Sequence, residues 1–231
     1  MKEGNVGGTA RRRGGRQQLS EEVASYVREL IISGDIKPGE FVRTESIQEA
    51  VGVSNTPVRE GMLSLRNEGF VELVPRRGFV VAPFAEQDLS DLFWVQGKLA
   101  GELAARAAKS MTHARLEILE GLLERYQGAV DRNDASTVAD LGHEFHRQIN
   151  LAADSRRLAI LLGAVVKQLP NRFYASIERQ VAATSQEHHE IVDALRKRDS
   201  RRASLIMETH VASGAARLIE SLPQQDRGKS A

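Results

Sequence analysis

Three histidines carry the most chemistry per residue in this sequence. His146, His188 and His210 fall on three separate predicted helices. An antiparallel helical bundle can bring such side chains to one depth, which is how metal sites are built in bundle cores. Three imidazoles suit zinc, nickel or another borderline divalent metal, with nitrogen–metal distances of about 2.0–2.1 Å for zinc. The competing reading is structural, since a core histidine is more often a hydrogen-bonded packing group than a ligand. A three-histidine metal with an open position could also activate water, which would make the helical part a metal-dependent enzyme. Glu144 and Glu190 flank the histidines, but neither is an evident general acid or base.

A second set of residues points to nucleic acid. Thr56-Pro57 opens a predicted helix in which Val58, Met62 and Leu65 follow i, i+4, i+7 and face a core. Arg59 and Arg66, seven residues apart, share a different and exposed face. Ser54, Asn55 and Thr56 sit at the helix start, where free backbone donors and the positive dipole end favour a phosphate. Recognition helices commonly read bases with their N-terminal residues; Asn55 can pair with adenine and Arg59 with guanine. Arg76, Arg77 and Gly78 tip a predicted hairpin that can touch the backbone or the minor groove.

These residues need scaffolding, and the pattern supplies it. Ser20 is the expected N-cap of a first helix carrying Val23, Val27, Leu30 and Ile31, ended by Gly34. Lys37-Pro38-Gly39-Glu40 reads as a turn. A short helix is expected from Thr44 to Val51 with Ile47 and Val51 inward, then Gly52. Gly69 ends the third helix, and Phe70–Val74 and Phe79–Ala82 read as two strands. Two short helices around a glycine turn, followed by a hairpin, make a winged helix-turn-helix. From Ala85 to about Leu222 only helical periodicity remains, with breaks near Met111-Thr112, Asn133-Asp134, Asp154-Ser155, Ala175-Ser176 and Asp199-Ser200. The expected fold class is mainly α: a winged helix-turn-helix plus an antiparallel bundle of about six helices. The expected domains are a disordered basic arm over 1–16, a DNA-binding domain over 17–83, a helical effector-binding and dimerisation domain over 84–222, and a flexible tail over 223–231.

Bulk properties narrow the function. The 231 residues are 41% hydrophobic and 27% charged. No apolar run approaches the roughly 20 residues that span a bilayer, and nothing apolar follows the N-terminal arginines as in a secretory signal. There is no cysteine, so disulfides and thiolate zinc sites are excluded and a cytoplasmic location is expected. Net charge is only +1, yet residues 1–16 hold five basic groups against one acidic group. Residues 17–83 hold seven basic and ten acidic groups, so DNA binding there depends on placement of charge rather than on its total.

The stretches Ile32–Glu40, Val51–Glu60, Glu68–Val71 and Arg76–Val80 resemble those of GntR-type regulators over about residues 20–82. The resemblance implies a winged helix-turn-helix that binds pseudo-palindromic operators as a homodimer. Such proteins usually carry Arg where this chain has Asn55, and often Arg where it has Glu45. Both positions face DNA in the family, with Arg43 a substitute for the second. Asp91-Leu92-Phe93, Glu144–Arg147, Glu187–Ile191 and His210 resemble the FadR-type ligand-binding domain, called FCD, over about residues 85–221. This resemblance implies a metal site of three histidines and an Asp four residues before the first. Here that position is Gly142; His143 is the candidate replacement, Asp140 is less well placed, and water or effector is the other option. The domain also implies an Arg and a Glu on its first helix, where this chain has Gln96 and Ala100, with Lys98 or Arg172 as compensating cations. Leu92, Phe93, Leu99 and Leu103 are expected in the core rather than the pocket.

Taken together, the sequence predicts a DNA-binding repressor whose operator affinity is set by a small metabolite, an organic acid among the candidates, with a divalent metal. The expected DNA contacts are Arg43, Ser54, Asn55, Thr56, Arg59, Arg66, Arg77 and Gly78. The alternatives are a metal-dependent enzyme and an effector-free dimerisation module.

Overall fold

The computed structural model describes residues 7–170, 173–174 and 181–222. Two compact units divide the chain, one up to Phe84 and one from Ala85 to Leu222.

The first unit holds three helices and a hairpin: α1 (Gly7–Ile32), α2 (Thr44–Val51), α3 (Asn55–Glu68), β1 (Val71–Val74) and β2 (Gly78–Val81). Val23, Val27 and Ile31 of α1 are buried, as their helical spacing requires. The helix begins earlier than expected. Ser20 lies inside it and its hydroxyl donates to the Gln17 carbonyl, so it is not the N-cap. Residues 7–16, read from sequence as part of a disordered arm, are helical. Ala10 and Arg11 to Arg13 are good helix formers and the four glycines of this stretch are not, so propensity alone does not account for the extension. Arg16 also ion-pairs with Glu60 on α3.

A close approach joins α1 to α3. A Cβ on Gly61 would stand 2.8 Å from the Ser20 carbonyl oxygen and 2.8 Å from Val23 Cγ1. At the other end Arg28, only 1% exposed, donates to Glu68 at 2.6 and 2.9 Å and to Glu21 at 3.3 Å. Gly52 and Gly69 end α2 and α3 at φ of 73° and 87°, values that L side chains rarely adopt. The strands pair antiparallel, with Val71 opposite Val81 and Val74 opposite Gly78. Against the expected Phe70–Val74 and Phe79–Ala82, the first strand starts one residue later and the second is shifted one residue earlier. Phe41 bridges to Val80 on the outer side of the hairpin.

The second unit is a bundle: α4 (Glu86–Ser110), α5 (His113–Asp131), α6 (Ala135–Ala152), α7 (Arg156–Val166), α8 (Val181–Arg196) and α9 (Ser200–Ser221). Its turns follow capping chemistry. Thr112, Asp134 and Asp199 accept the backbone N–H of Arg115, Thr137 and Arg202 at 3.3, 3.1 and 2.9 Å. The fourth helix stops well short of the expected break. A turn runs to Leu169 and Pro170, and the residue before a proline is disfavoured in the α conformation. The expected break at Ala175-Ser176 lies outside the described residues, as does the 223–231 tail. Small residues let α4 and α9 come close: Gly97 and Gly101 face Glu208, and a Cβ on Gly214 would meet the Phe93 ring at 2.6 Å. The core then runs from Ala100, Leu103 and Ala104 through Phe145 and Ile149 to Ile191, Leu195 and Met207.

Candidate functional site

In the first unit, α3 has two faces. Val58, Met62 and Leu65 are fully buried, while Ser54, Asn55, Thr56, Arg59 and Arg66 are exposed. Ser54 is the N-cap in extended conformation and its side chain makes no capping bond, so no side chain covers the first-turn backbone donors from that position. Pro57 is the third helical residue rather than the first, still within the turn where no backbone donor is needed. Arg43 is exposed at the N-cap of α2. Arg77 is exposed at the hairpin tip, its guanidinium 4.5 Å from the centre of the Phe41 ring, a cation–π contact that orders it. Gly78 follows at φ 103°.

In the second unit the three histidines meet. His146 on α6, His188 on α8 and His210 on α9 each offer a ring nitrogen, and the three lie within 4.8 Å of one another. His210 donates from Nδ1 to Glu187 Oε2 at 2.7 Å, an arrangement that in the neutral ring leaves the lone pair on Nε2. That Nε2 lies 3.2 Å from Nε2 of His146. His188 is fully buried, and among the described residues neither of its ring nitrogens has a hydrogen-bond partner. Burial, reinforced by the neighbouring imidazoles, holds His146 and His188 well below the usual histidine range, so both are neutral near pH 7.

These residues fit a divalent cation. Two ligands of a tetrahedral zinc at 2.0–2.1 Å stand about 3.3 Å apart, close to the His146–His210 separation. An orphaned buried imidazole costs about 1–3 kcal/mol, which a bound cation would offset. His146, His188 and His210 would hold the metal, supplying three neutral nitrogen ligands.

Gly142 is buried one turn before His146 and brings no carboxylate. His143 does not replace it. Its ring stands edge-on to Tyr174, centroids 5.2 Å apart, and it lies outside the group of three. Three residues leave a net turn of only about 60°, so His143 stands beside His146 on the wall of the adjoining cavity. Burial lowers its pKa, partly opposed by Asp140.

That cavity, about 460 Å³, adjoins the cluster and is lined from α4, α6, α7 and α9. His146 and His210 form part of its wall, together with Gln96 and Tyr174. Gln96 is buried; its carbonyl accepts from the Tyr174 hydroxyl at 3.0 Å, and its amide nitrogen has no partner among the described residues. Phe93 belongs to both core and cavity wall, against the expectation of core alone. Lys98, expected as a compensating cation, does not line the cavity. Two residues beyond Gln96, it points to the opposite face of α4 and ion-pairs with Glu208. Arg172 lies outside the described residues. Glu144 and Glu190 turn to partners on their own helices, Arg147 with Gln148 and Gln186 respectively.

The comparisons with known proteins agree with this architecture. Residues 19–81 match the family model of bacterial regulatory proteins, gntR family, and residues 91–213 match the FCD domain model. The chain belongs to the gntR family of bacterial regulators. It is 30% identical over 196 residues to a probable D-xylose utilization operon transcriptional repressor of Paenarthrobacter nicotinovorans, covering 83% of this chain and 86% of that one. It is 28% identical to the Glc operon transcriptional activator of Escherichia coli, covering 87% and 86%. The solved structure of E. coli McbR/YncC superposes with a TM-score of 0.64 at 22% identity, covering 87% and 97%. A GntR protein from Rhodococcus gives 0.57 at 20% identity, covering 88% and 99%.

This gntR-family protein is therefore a transcription regulator, and the enzyme alternative falls with that finding. Among the described residues no helix is long and apolar enough to cross a membrane. Sequence reasoning passed over Glu187 and Tyr174. Glu187 stood in a quoted motif next to His188, but its partner is on another helix, and only the packing of α8 on α9 reveals it.

Proposed function

We propose that this regulator is a repressor that grips operator DNA as a homodimer, α3 entering the major groove and the hairpin reaching the flanking backbone. Arg59, Asn55 and Thr56 read or anchor the half-site, Arg43, Ser54, Arg66 and Arg77 support the approach, and Gly78 lets the wing tip come close. The observation that carries this reading is the division of α3: Val58, Met62 and Leu65 sealed in the core, Arg59 and Arg66 outward with nothing of the first unit over them. In the second unit a small molecule, an organic acid among the candidates, occupies the cavity beside His146 and His210, where Gln96 offers a neutral amide. A divalent metal, zinc or nickel, is held by His146, His188 and His210. An effector that binds one arrangement of the protein better than another lowers operator affinity by that difference alone.

The test is direct. Genomic fragments captured by the wild-type protein are titrated with wild type and Arg59→Ala at fixed moderate salt. Loss of one bidentate base contact weakens binding by about 1–3 kcal/mol, or roughly 5- to 150-fold. Equal affinity in the two proteins overturns the placement of the reading face.

A further inference from the structure

Glu187 stands next to His188 on α8 yet reaches the histidine cluster by a different route. Its Oε2 accepts the Nδ1 proton of His210 at 2.7 Å, and its Oε1 lies 3.7 Å from Arg217 on α9. His210 is 7% exposed, so water does not compete well for that proton. One helix thus supplies both an imidazole and the carboxylate that orients an imidazole of its neighbour.

We infer that Glu187 is a positioning residue for the metal: it fixes the His210 ring and its tautomer so that Nε2 presents its lone pair to the site shared with His146 and His188. The argument is geometric. An imidazole can ligate through one nitrogen only when that nitrogen is unprotonated, and a carboxylate on the opposite nitrogen enforces this. The carboxylate also makes the ring a more basic donor. The arrangement matters more in this chain because Gly142 supplies no carboxylate ligand of its own. Glu187 is the carboxylate that contacts a cluster histidine among the described residues, and it does so from behind the ring. Arg217, which also lines the cavity, braces the far oxygen of Glu187.

This inference rests on the metal reading above, and the two fail separately. Full-length wild type, Glu187→Ala, the isosteric Glu187→Gln and a control, Glu190→Gln, are stripped with chelator and titrated with Co²⁺ and Zn²⁺ against a chromogenic competitor. Folding of each is checked by circular dichroism. If wild type binds neither ion, the metal reading itself is overturned and this inference with it. If wild type binds, the expected result is about a 10- to 100-fold loss of affinity in Glu187→Ala. A smaller loss is expected in Glu187→Gln, whose amide oxygen still accepts the proton, and none in Glu190→Gln. The Co²⁺ visible absorption band should change shape in Glu187→Ala, because the His210 donor changes, which a loss of general stability would not produce. Wild-type affinity and band shape in both Glu187 variants would overturn the assignment.

Discussion

His188 is the residue whose environment asks most for an explanation. It is sealed from water with both nitrogens unpartnered, next to Phe145 at 4.4 Å between ring centres. An apolar residue of similar bulk would suit that pocket better if nothing ever bound there. His188→Leu should therefore leave the chelator-treated protein within about 1 kcal/mol of wild type, or more stable. With metal at 100 times its dissociation constant, wild type should gain about 2.7 kcal/mol and the variant far less. Paired thermal or urea unfolding, with and without Zn²⁺, reads both. A large destabilisation of the metal-free variant would mark His188 as a packing residue. Arg28 is the opposite case, a buried charge fully engaged. Glu68→Ala leaves it with Glu21 alone at 3.3 Å, and should destabilise the first unit by about 3 kcal/mol in denaturant unfolding. The histidines were legible in the sequence because each sits on its own helix. Their outer partners were not, since Glu187 and Tyr174 acquire roles only through the rotation of packed helices.

At the scale of elements, the sequence was most readable where local chemistry decides. Thr44 to Val51 was expected as a helix and is one, because Gly52 stops it. The bundle turns at Thr112, Asp134 and Asp199 were marked by capping side chains. The start of α1 was misplaced because a serine with a hydroxyl to offer also bonds back to its own helix. The end of α7 at Val166 carries no local stop signal of its own, and Pro170 lies four residues beyond it. Gly61 was also passed over; no turn or cap singles it out, and its function is room. Gly61→Ala should force α1 from α3, at a cost of about 1–3 kcal/mol, since the nearest neighbour is a backbone oxygen that cannot swing aside. Unfolding by urea checks this, and a stability equal to wild type would mean that the two helices separate freely.

At the scale of the whole molecule, net charge of +1 hides an uneven distribution. Basic groups on α3 and at the hairpin tip act locally against an otherwise acidic first unit. DNA affinity should thus fall steeply with salt, and Arg77→Ala should weaken binding about equally across sequences while reducing the salt slope by about 1. Arg59→Ala should instead blunt discrimination between sequences. Fluorescence anisotropy on two operators and a scrambled duplex, across a salt series, separates the two outcomes. A sequence-selective loss in Arg77→Ala would place a base contact on the wing.

The seal around Arg28 has a mechanical meaning as well. A guanidinium gripped at two points by the last residue of α3, and closed off from solvent, ties that helix to α1 at its end, while Gly61 brings the two together at its middle. If α3 reads DNA as proposed, contacts that hold it to α1 in the fold should leave little freedom to surrender on meeting a duplex, and accommodation of shape would fall to the DNA.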